Sequence, residues 1–499
     1  MQSLFKLITK PSTRSFILQF SAALLIGFML RFVVNLTPVW WLVWIAPVPL
    51  LVIALRSNKR DTFWITAVAA SIGLSSNLHY YQLVMPAPIA VLVLLAQSWL
   101  WVLVIMTTRR LVLRYQSWWT VLVYPVVWCA VDTLLAHCLP DGNWGSLAYS
   151  QTEFLPMLQV TSLFGVAGLL FLLALFPSAI ALAFVYGRRL HHVPWAYGLT
   201  TLLLIATFTY GEFRLQDPSG KQQVVFGLVS IDDAIGLQAS ATYAASIWQQ
   251  YDRHVATLAA QGAKIIVLPE KIAMLTPANA EQLKRYLSSV AKAHHVWIIA
   301  GSAIDDGSRP SNLAWMFSPL GILTNNYQKH HLAPPERDYA TGVDYQTKVI
   351  DATLYGLAIC KDMHFASLGR AYTERNVGVM LVPAWDFYFD QWIASRTTLI
   401  RGVESGYIVV RSAREGLLTV SDAYGRVLAE KPSSGMPGQT LLVKTNIAAR
   451  LTTLYSIIGG LFGWLCVLCL VGMAAWPVAS AYLRAYKALP NSNLGDASI

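Results

Sequence analysis

The chain has 499 residues, of which 55% are hydrophobic and 13% are charged, and its mean hydropathy is +0.48. Soluble proteins carry roughly 25% charged residues, so this composition excludes an ordinary soluble globule. The 12% aromatic content and the five cysteines exclude disordered chains and disulfide scaffolds. What remains is a polytopic membrane protein that contains a soluble domain.

Charge-poor apolar segments occur along the first 213 residues and again near the C-terminus. A helix needs ~20 apolar residues to cross ~30 Å of hydrocarbon. The segments of about this length cover 15–34, 38–55, 63–83, 88–107, 118–138, 160–186, 194–212 and 454–478. The first predicts a retained helix and not a signal peptide, because Arg31 ends it where a cleavage site would have small residues. We therefore predict about eight transmembrane helices.

Basic residues concentrate in alternate loops between these segments. They are Lys6, Lys10, Arg14, Arg56, Lys59, Arg60, Arg109, Arg110, Arg114, Arg188, Arg189, Arg484 and Lys487. The opposite short loops carry only Arg31, and the 139–159 loop carries Asp141 and Glu153. Because loops rich in Lys and Arg stay in the cytoplasm, both termini are expected inside and residues 214–450 outside. The net charge of +11 thus serves orientation, and no nucleic acid partner is expected.

Residues 214–450 alternate between short apolar runs and amphipathic segments. Strands are predicted at 224–230, 264–270, 296–304, 313–319, 355–360, 377–384, 407–413 and 417–425. Helices are predicted at about 241–261, 277–294, 364–376 and 389–405. This alternation predicts an α/β layered domain. The expected organisation is a transmembrane domain at 1–213, an extracytoplasmic domain at 214–450, a transmembrane helix at 451–483 and a cytoplasmic tail at 484–499.

Three residues with chemically active side chains follow predicted strands. Glu270 closes KIIVLPE, Lys329 follows the run ILTNNYQ, and Cys360 closes YGLAIC. A carboxylate, an ammonium and a thiol are what cysteine-dependent acyl transfer needs, as base, cation and nucleophile. Each residue taken alone also fits a structural position, since a free Cys after an apolar strand often packs as a small hydrophobe.

The sequence motifs around these residues resemble those of the apolipoprotein N-acyltransferases. This family is the membrane branch of the nitrilase superfamily, which is also called the carbon-nitrogen hydrolase superfamily. The matching stretches are LPE at 268–270, SNLAWMFSPLG with YQKHHLAP within 311–334, GLAIC at 356–360 and the segment 401–428. In the membrane half, GNWGSLAYSQ at 142–151 and LQVTSLFGVAGLLFL at 158–172 also resemble the family. The resemblance covers nearly the whole chain and implies a nitrilase-like αββα sandwich inserted before the last transmembrane helix.

By this resemblance, Glu270 is the general base, Lys329 stabilises the oxyanion and Cys360 is the nucleophile. The backbone N–H of Lys361 is a second oxyanion donor. The family moves an acyl chain from a membrane phospholipid through a cysteine thioester to the α-amine of a lipoprotein's diacylglyceryl-cysteine. The resemblance thus implies a multi-pass enzyme of the bacterial inner (cytoplasmic) membrane with its catalytic domain on the periplasmic side. No metal or cofactor is expected.

The chain departs from the family in three places, one of which is the loop AWDFYFD at 384–390, where the family usually has an Asn-Asp-containing turn. The family commonly has an acidic residue eight positions after the lysine, but here Glu336 lies seven positions after it and Arg337 eight. A Tyr-Glu pair commonly follows the nucleophile, where this chain has Lys361 and Asp362. Glu336, Asp362 and Glu404 are accessory candidates.

These departures leave the acceptor open. The alternatives are an N-acyltransferase with a different amine acceptor and a membrane-anchored nitrilase-like amidase in which water resolves the acyl-enzyme. A transporter or lipid-binding scaffold that has lost activity is a third alternative, against which the presence of Glu270, Lys329 and Cys360 argues. His364 is an alternative base for Cys360, as in a Cys–His dyad.

The predicted orientation can be tested by labelling from the two sides of the membrane. A cysteine label or glycosylatable tag placed within 431–439 is expected to react from outside the cytoplasm. One placed near 188–189 is not, because the basic loops stay inside. The reverse pattern would contradict the orientation, and with it any acceptor that matures on the outer face.

Overall fold

The structure is a computed structural model that describes residues 13–187, 193–216, 220, 222–447 and 451–487. It has two parts, which we call the helical region (13–216 and 451–487) and the sandwich (222–447). Of the basic residues that predict the orientation, Lys6, Lys10, Arg188 and Arg189 lie outside the described residues, as does the predicted tail from residue 488 onward.

The first part of the helical region is built from apolar helices of different lengths. Its helices are α1 (Thr13–Arg31), α2 (Pro47–Arg56), α3 (Lys59–Leu74), α4 (Leu78–Val84), α5 (Ala87–Tyr115), α6 (Val123–Cys138), α7 (Leu155–Leu158), α8 (Thr161–Tyr186) and α9 (Val193–Leu215). By length and composition, four described helical segments could cross a membrane: Ala87–Tyr115, Trp118–Cys138, Thr161–Tyr186 and Val193–Leu215. Three more are apolar but shorter: Leu18–Arg31, Leu42–Arg56 and Leu461–Ala475.

Two of the predicted spans are divided in the structure. The segment 38–55 contains a 3₁₀ turn at Leu42–Trp44 before α2, which begins at Pro47, a residue suited to the first helical turn. The segment 63–83 changes to a 3₁₀ turn at Ser75–Asn77 before α4 begins. Neither segment is one uninterrupted α-helix, and the total of about eight spans stays a prediction.

The sandwich consists of one seven-stranded sheet and one six-stranded sheet. Its strands are β1 (Gln222–Ser230), β2 (Ile265–Val267), β3 (Met274–Leu275), β4 (Trp297–Ile304), β5 (Ser311–Phe317), β6 (Leu323–Gln328), β7 (Thr347–Ile350), β8 (Thr353–Leu357), β9 (Val379–Trp385), β10 (Ile408–Arg414), β11 (Leu417–Ser421), β12 (Val427–Pro432) and β13 (Gln439–Ile447). One sheet has the order β13-β1-β2-β4-β5-β6, with β3 beside β4, and the other has β12-β11-β10-β9-β8-β7. All eight predicted strands are confirmed.

Two layers of helices cover the sheets. The helices are α10 (Ala241–Ala260), α11 (Pro277–His294), α12 (Ala366–Glu374) and α13 (Gln391–Ser405). Phe226 and Val267 of one sheet share a buried core with Leu381 and Val410 of the other, so the two sheets pack face to face. The outer face of the first sheet packs on α10 and α11, and that of the second packs on α12. This αββα layering confirms the nitrilase-like α/β domain.

The chain returns from β13 to the helical region through α14 (Leu454–Ile458) and α15 (Leu461–Lys487). Gly459, with φ +59°, separates the two helices, so the predicted apolar segment 454–478 is not one helix. The helix α15 packs against α6 and α8. Both ends of the sandwich therefore connect to the same bundle.

The two parts of the molecule are joined by a buried polar junction. The Glu404 carboxylate of α13 accepts a hydrogen bond from the backbone N–H of Val166 in α8 (2.8 Å) and pairs with Arg401, which donates to the Tyr149 hydroxyl (2.7 Å). The N–H of Val166 is available because Gly165 is non-helical, with φ +65° and ψ −166°. The kink in α8 thus supplies the donor that Glu404 binds.

We expect Gly165→Ala to destabilise this junction. A Cβ at residue 165 would lie 2.3 Å from a ring carbon of Tyr455, and its positive φ disfavours any side chain. Together these effects should cost about 1–3 kcal/mol, measured as thermal or denaturant unfolding in detergent. Gly198→Ala in α9 is the matched control, because nothing lies within 4 Å of its Cβ position. Equal stability of the two variants would contradict the prediction.

Candidate active site

The three residues predicted to act together lie just beyond the ends of strands in the two sheets. Glu270 follows β2, Lys329 follows β6 and Cys360 follows β8. The first two strands belong to one sheet and the third to the other, so packing of the sheets brings their ends to one edge. All three residues line one cleft.

Lys329 lies between two carboxylates. Its Nζ donates to Glu270 Oε1 (2.8 Å) and to Glu336 Oε2 (2.7 Å). Asn312 on β5 donates from Nδ2 to the same two groups, at 2.6 Å to Glu270 and 2.8 Å to Glu336. The Glu336 carboxylate also accepts the backbone N–H of Ala333 (3.0 Å). Glu270 and Lys329 were predicted to act together, and Glu336, predicted only as an accessory candidate, lies in the same cluster.

Burial and charge act in opposite directions on this cluster. Burial alone would lower the pKa of Lys329, but the carboxylates of Glu270 and Glu336 raise it well above its usual value. Burial would raise the pKa of Glu336, but the ammonium groups of Lys329 and Lys271 overcome this effect and hold it at about 2. Lys329 is therefore a cation, and Glu336 an anion, throughout the physiological pH range.

Cys360 occupies a strained turn at the end of β8. Its φ is +42°, a value that non-glycine residues seldom adopt and that often marks functional sites. The thiol Sγ donates to the backbone carbonyl of Trp385 (3.4 Å). Burial and the nearby Glu270 carboxylate raise the pKa of the thiol more than Lys329 lowers it. The resting thiol is thus protonated and needs a base before it can act as a nucleophile.

Asp362 organises the loops on both sides of this turn. Its carboxylate accepts hydrogen bonds from the Tyr327 hydroxyl (2.7 Å) and from the backbone N–H groups of Ile359 (3.0 Å), His330 (3.1 Å) and His331 (2.8 Å). It is completely buried and does not line the cleft. Its contacts hold the residues that follow Lys329 against those that flank Cys360.

The residue after the nucleophile candidate ties the sandwich to the helical region. Lys361 Nζ donates to the Leu332 carbonyl (2.8 Å) and pairs with Asp141 Oδ1 (2.5 Å), in the loop that follows α6. Its backbone N–H lies in the first turn of the 3₁₀ helix Cys360–His364, where N–H groups lack intrahelical partners.

In the described part of the chain, two sequence candidates form no hydrogen bond with the thiol, although one of them, His364, lines the cleft. His364 stacks on Trp144 with 4.5 Å between ring centroids, and burial lowers its pKa far below the usual value. Among the described residues, the Cys360 thiol bonds to the Trp385 carbonyl and not to this imidazole. Glu404 lies in the junction with α8 and does not line the cleft. The described contacts therefore do not support a Cys–His dyad or an accessory role for Glu404 at the thiol.

The cleft has a volume of about 360 Å³ and extends from the thiol to the helical region. Its wall on that side comes from helices α4 and α5, including Tyr81, Val84 and Val93. The hydroxyl of Tyr80 on α4 donates to Asp390 of the sandwich (2.9 Å), which fixes this wall in place. The cleft is therefore shared between both parts of the molecule.

Sequence reasoning missed several charged or polar residues at this site. Lys271 and Asn312 belong to the ion cluster, and the ion pair of Arg411 with Asp386 is buried beside the thiol. Lys271 follows Glu270 directly, and Asp386 interrupts the apolar segment AWDFYFD, so both were visible as charges next to predicted strands. In the described part of the chain, no group of three or more His, Cys, Asp or Glu residues could hold a metal ion.

Two family models match this chain. The apolipoprotein N-acyltransferase N-terminal domain matches residues 22–179, and the carbon-nitrogen hydrolase domain matches residues 234–435. The first match lies in the helical region and the second in the sandwich. Each part of the molecule is thus recognised separately.

Individual proteins give the same two kinds of match. The apolipoprotein N-acyltransferase of Geobacter metallireducens is 24% identical over 489 residues, covering 85% of this chain and 89% of that protein. The human omega-amidase NIT2 is 31% identical over 145 residues, 25% of this chain and 52% of that protein. Among solved structures, an amidase from Nesterenkonia sp. superposes with a TM-score of 0.40 and 16% identity, covering 46% of this chain and 93% of that one.

The low pKa of Glu336 predicts a pH-dependent contribution to stability. The folded pKa of about 2 lies below the ordinary value of about 4.3, so the contribution is present above pH ~4.3 and lost as the pH falls toward 2. We expect Glu336→Gln to lose about 3 kcal/mol of unfolding free energy at pH 6 and much less near pH 2–3. Glu281→Gln, which breaks an exposed pair with Lys284, is the control. A pH-independent difference between Glu336→Gln and the parent would contradict the charge assignment.

Proposed function

The chain belongs to the apolipoprotein N-acyltransferase family, the membrane branch of the nitrilase superfamily, and from this premise we propose its reaction. The enzyme takes an acyl chain from a membrane phospholipid onto Cys360 and passes it to the α-amine of a lipoprotein's N-terminal diacylglyceryl-cysteine. The observation that carries the proposal is the cleft that joins the Glu270, Lys329 and Cys360 cluster to the helical region. A lipid donor and a lipidated acceptor both reside in the bilayer, so their reacting groups need such a passage.

In the first half-reaction, Glu270 removes the proton from the Cys360 thiol. The thiolate attacks the ester carbonyl of the phospholipid, and the resulting oxyanion is stabilised by Lys329 and by the backbone N–H of Lys361. The carbon–oxygen bond of the ester then breaks, and Glu270 returns its proton to the departing lysophospholipid alkoxide. The product is an acyl thioester on Cys360.

In the second half-reaction, the amine attacks the thioester carbonyl. Glu270 accepts the amine proton, and the same two donors stabilise the oxyanion. The carbon–sulfur bond then breaks to form the amide, and Glu270 returns the proton to the departing thiolate, which regenerates the thiol. The apolar wall formed by α4 and α5 favours an acyl chain over a small soluble amide in this cleft. We place the enzyme in the bacterial inner membrane, with the sandwich on the periplasmic side.

Single-turnover thioester formation from labelled phospholipid, without acceptor, tests the first half-reaction. Cys360→Ala and Cys360→Ser are expected to form no thioester. Glu270→Gln and Lys329→Met should form it about 10²–10³-fold more slowly, since each removes one group from the acylation step. Cys138→Ala, which removes an exposed cysteine of the helical region, should behave as the parent. Full acyl transfer by Cys360→Ala would overturn the proposal.

The acceptor is tested in a second experiment with the isolated thioester. A diacylglyceryl-cysteine peptide with a free α-amine should discharge it to an amide, and the same peptide N-acetylated should not. Discharge to free fatty acid at equal rates with and without peptide would instead indicate an amidase that uses water.

A further inference from the structure

Glu270 is followed by a second charged residue that faces the same cleft. Both residues lie in the turn between β2 and β3, and both line the cleft. The φ of Lys271 is +49°, a left-handed value that residues other than glycine seldom adopt. This uncommon conformation brings a second lysine to the site.

The Lys271 side chain is held on three sides. Its Nζ pairs with Glu336 Oε1, and it lies 4.7 Å from the ring centroid of Tyr339 and 5.3 Å from that of Trp385. Aromatic faces attract a cation, so the ammonium is favoured at this position. The side chain is only 11% exposed.

Lys271 balances the charge of the cluster. Glu270 and Glu336 supply two negative charges, Lys329 and Lys271 supply two positive charges, and Asn312 is neutral. Each oxygen of Glu336 contacts one of the two lysines. Without Lys271, a single ammonium would be shared by two buried carboxylates, and the cluster would carry a net charge of −1 beside the thiol.

The other charged groups around Lys271 do not replace it. The guanidinium of Arg414 lies 3.9 Å from the ring centroid of Trp385 and donates to the Lys271 carbonyl. Glu415 accepts a hydrogen bond from Nε1 of the same Trp385 ring. Asp386 is paired with Arg411.

We propose that Lys271 is a positioning residue that neutralises Glu336, so that Lys329 stays available to Glu270 and to the developing oxyanion. The inference rests on the proposed roles of Glu270, Lys329 and Cys360. Lys271 helps to hold the pKa of Glu336 low, and Lys329 lowers the pKa of the thiol. Without Lys271, Glu336 draws more strongly on Lys329, so less positive charge acts on Cys360 and the thiolate is scarce up to a higher pH.

The test measures the rate of Cys360 alkylation by iodoacetamide against pH, followed by mass spectrometry of the Cys360 peptide. For Lys271→Met, we expect the whole profile to move upward by about 1–3 pH units. Lys271→Arg keeps the charge and should remain close to the parent. Lys284→Met is the matched control, because Lys284 also pairs with a glutamate and lies 5.2 Å from an aromatic centroid, that of Trp315, but outside the cleft.

The double variant Lys271→Met/Glu336→Gln separates charge from packing. It restores a neutral cluster, so its pH profile of alkylation should return toward that of the parent. If Lys271 acted only through packing, the profile of the double variant would stay as far from the parent as that of Lys271→Met. A folded Lys271→Met variant with the parental profile would overturn the inference, as would a double variant that shows no return. Alkylation needs no lipid substrate, so failure of thioester formation from phospholipid would count against the proposed function and not against this inference.

Discussion

The buried ammonium of Lys329 is the interaction on which the site depends. A lysine that is almost completely removed from water is costly unless it is paired. Here two carboxylates offset that cost, and Asn312 in turn donates a hydrogen bond to each carboxylate. The same carboxylates come from different loops, after β2 and after β6. Satisfying one cation therefore fixes the relative positions of both loops, and Asp362 extends this order to the turn of Cys360.

A second set of buried polar contacts fixes the sandwich against the helical region. The kink at Gly165 exposes the N–H of Val166, and Glu404 binds it while pairing with Arg401. The contact of Tyr80 with Asp390 performs the same task at the cleft. Such contacts have defined partners and directions, which apolar packing alone lacks. They therefore fix the position of the sandwich relative to the helical region.

Apolar runs and amphipathic periodicity in the sequence were enough to predict the layered sandwich, eight of its strands and its four helices. Five strands were not predicted: β3, β6, β7, β12 and β13. β3 has two residues, β7 has four, and three of the six residues of β12 are exposed, so these strands carry little apolar pattern. Glu270, Lys329 and Cys360 were predicted as site residues because each follows a predicted strand within a sequence motif that resembles the family. Lys271 was missed for a local reason: it lies in the turn after β2, and the apolar pattern of the sequence does not show its left-handed backbone conformation.

The division of the third apolar segment at Ser75–Asn77 has a consequence for how the protein can be dissected. The short helix α4 that follows the break forms one wall of the cleft, opposite residues of the sandwich. A sandwich cut free at its two termini would keep its paired sheets but leave this cavity open on one side. The helical region is thus more than an anchor, and the smallest unit that encloses the cleft includes α4 and α5 together with the sandwich.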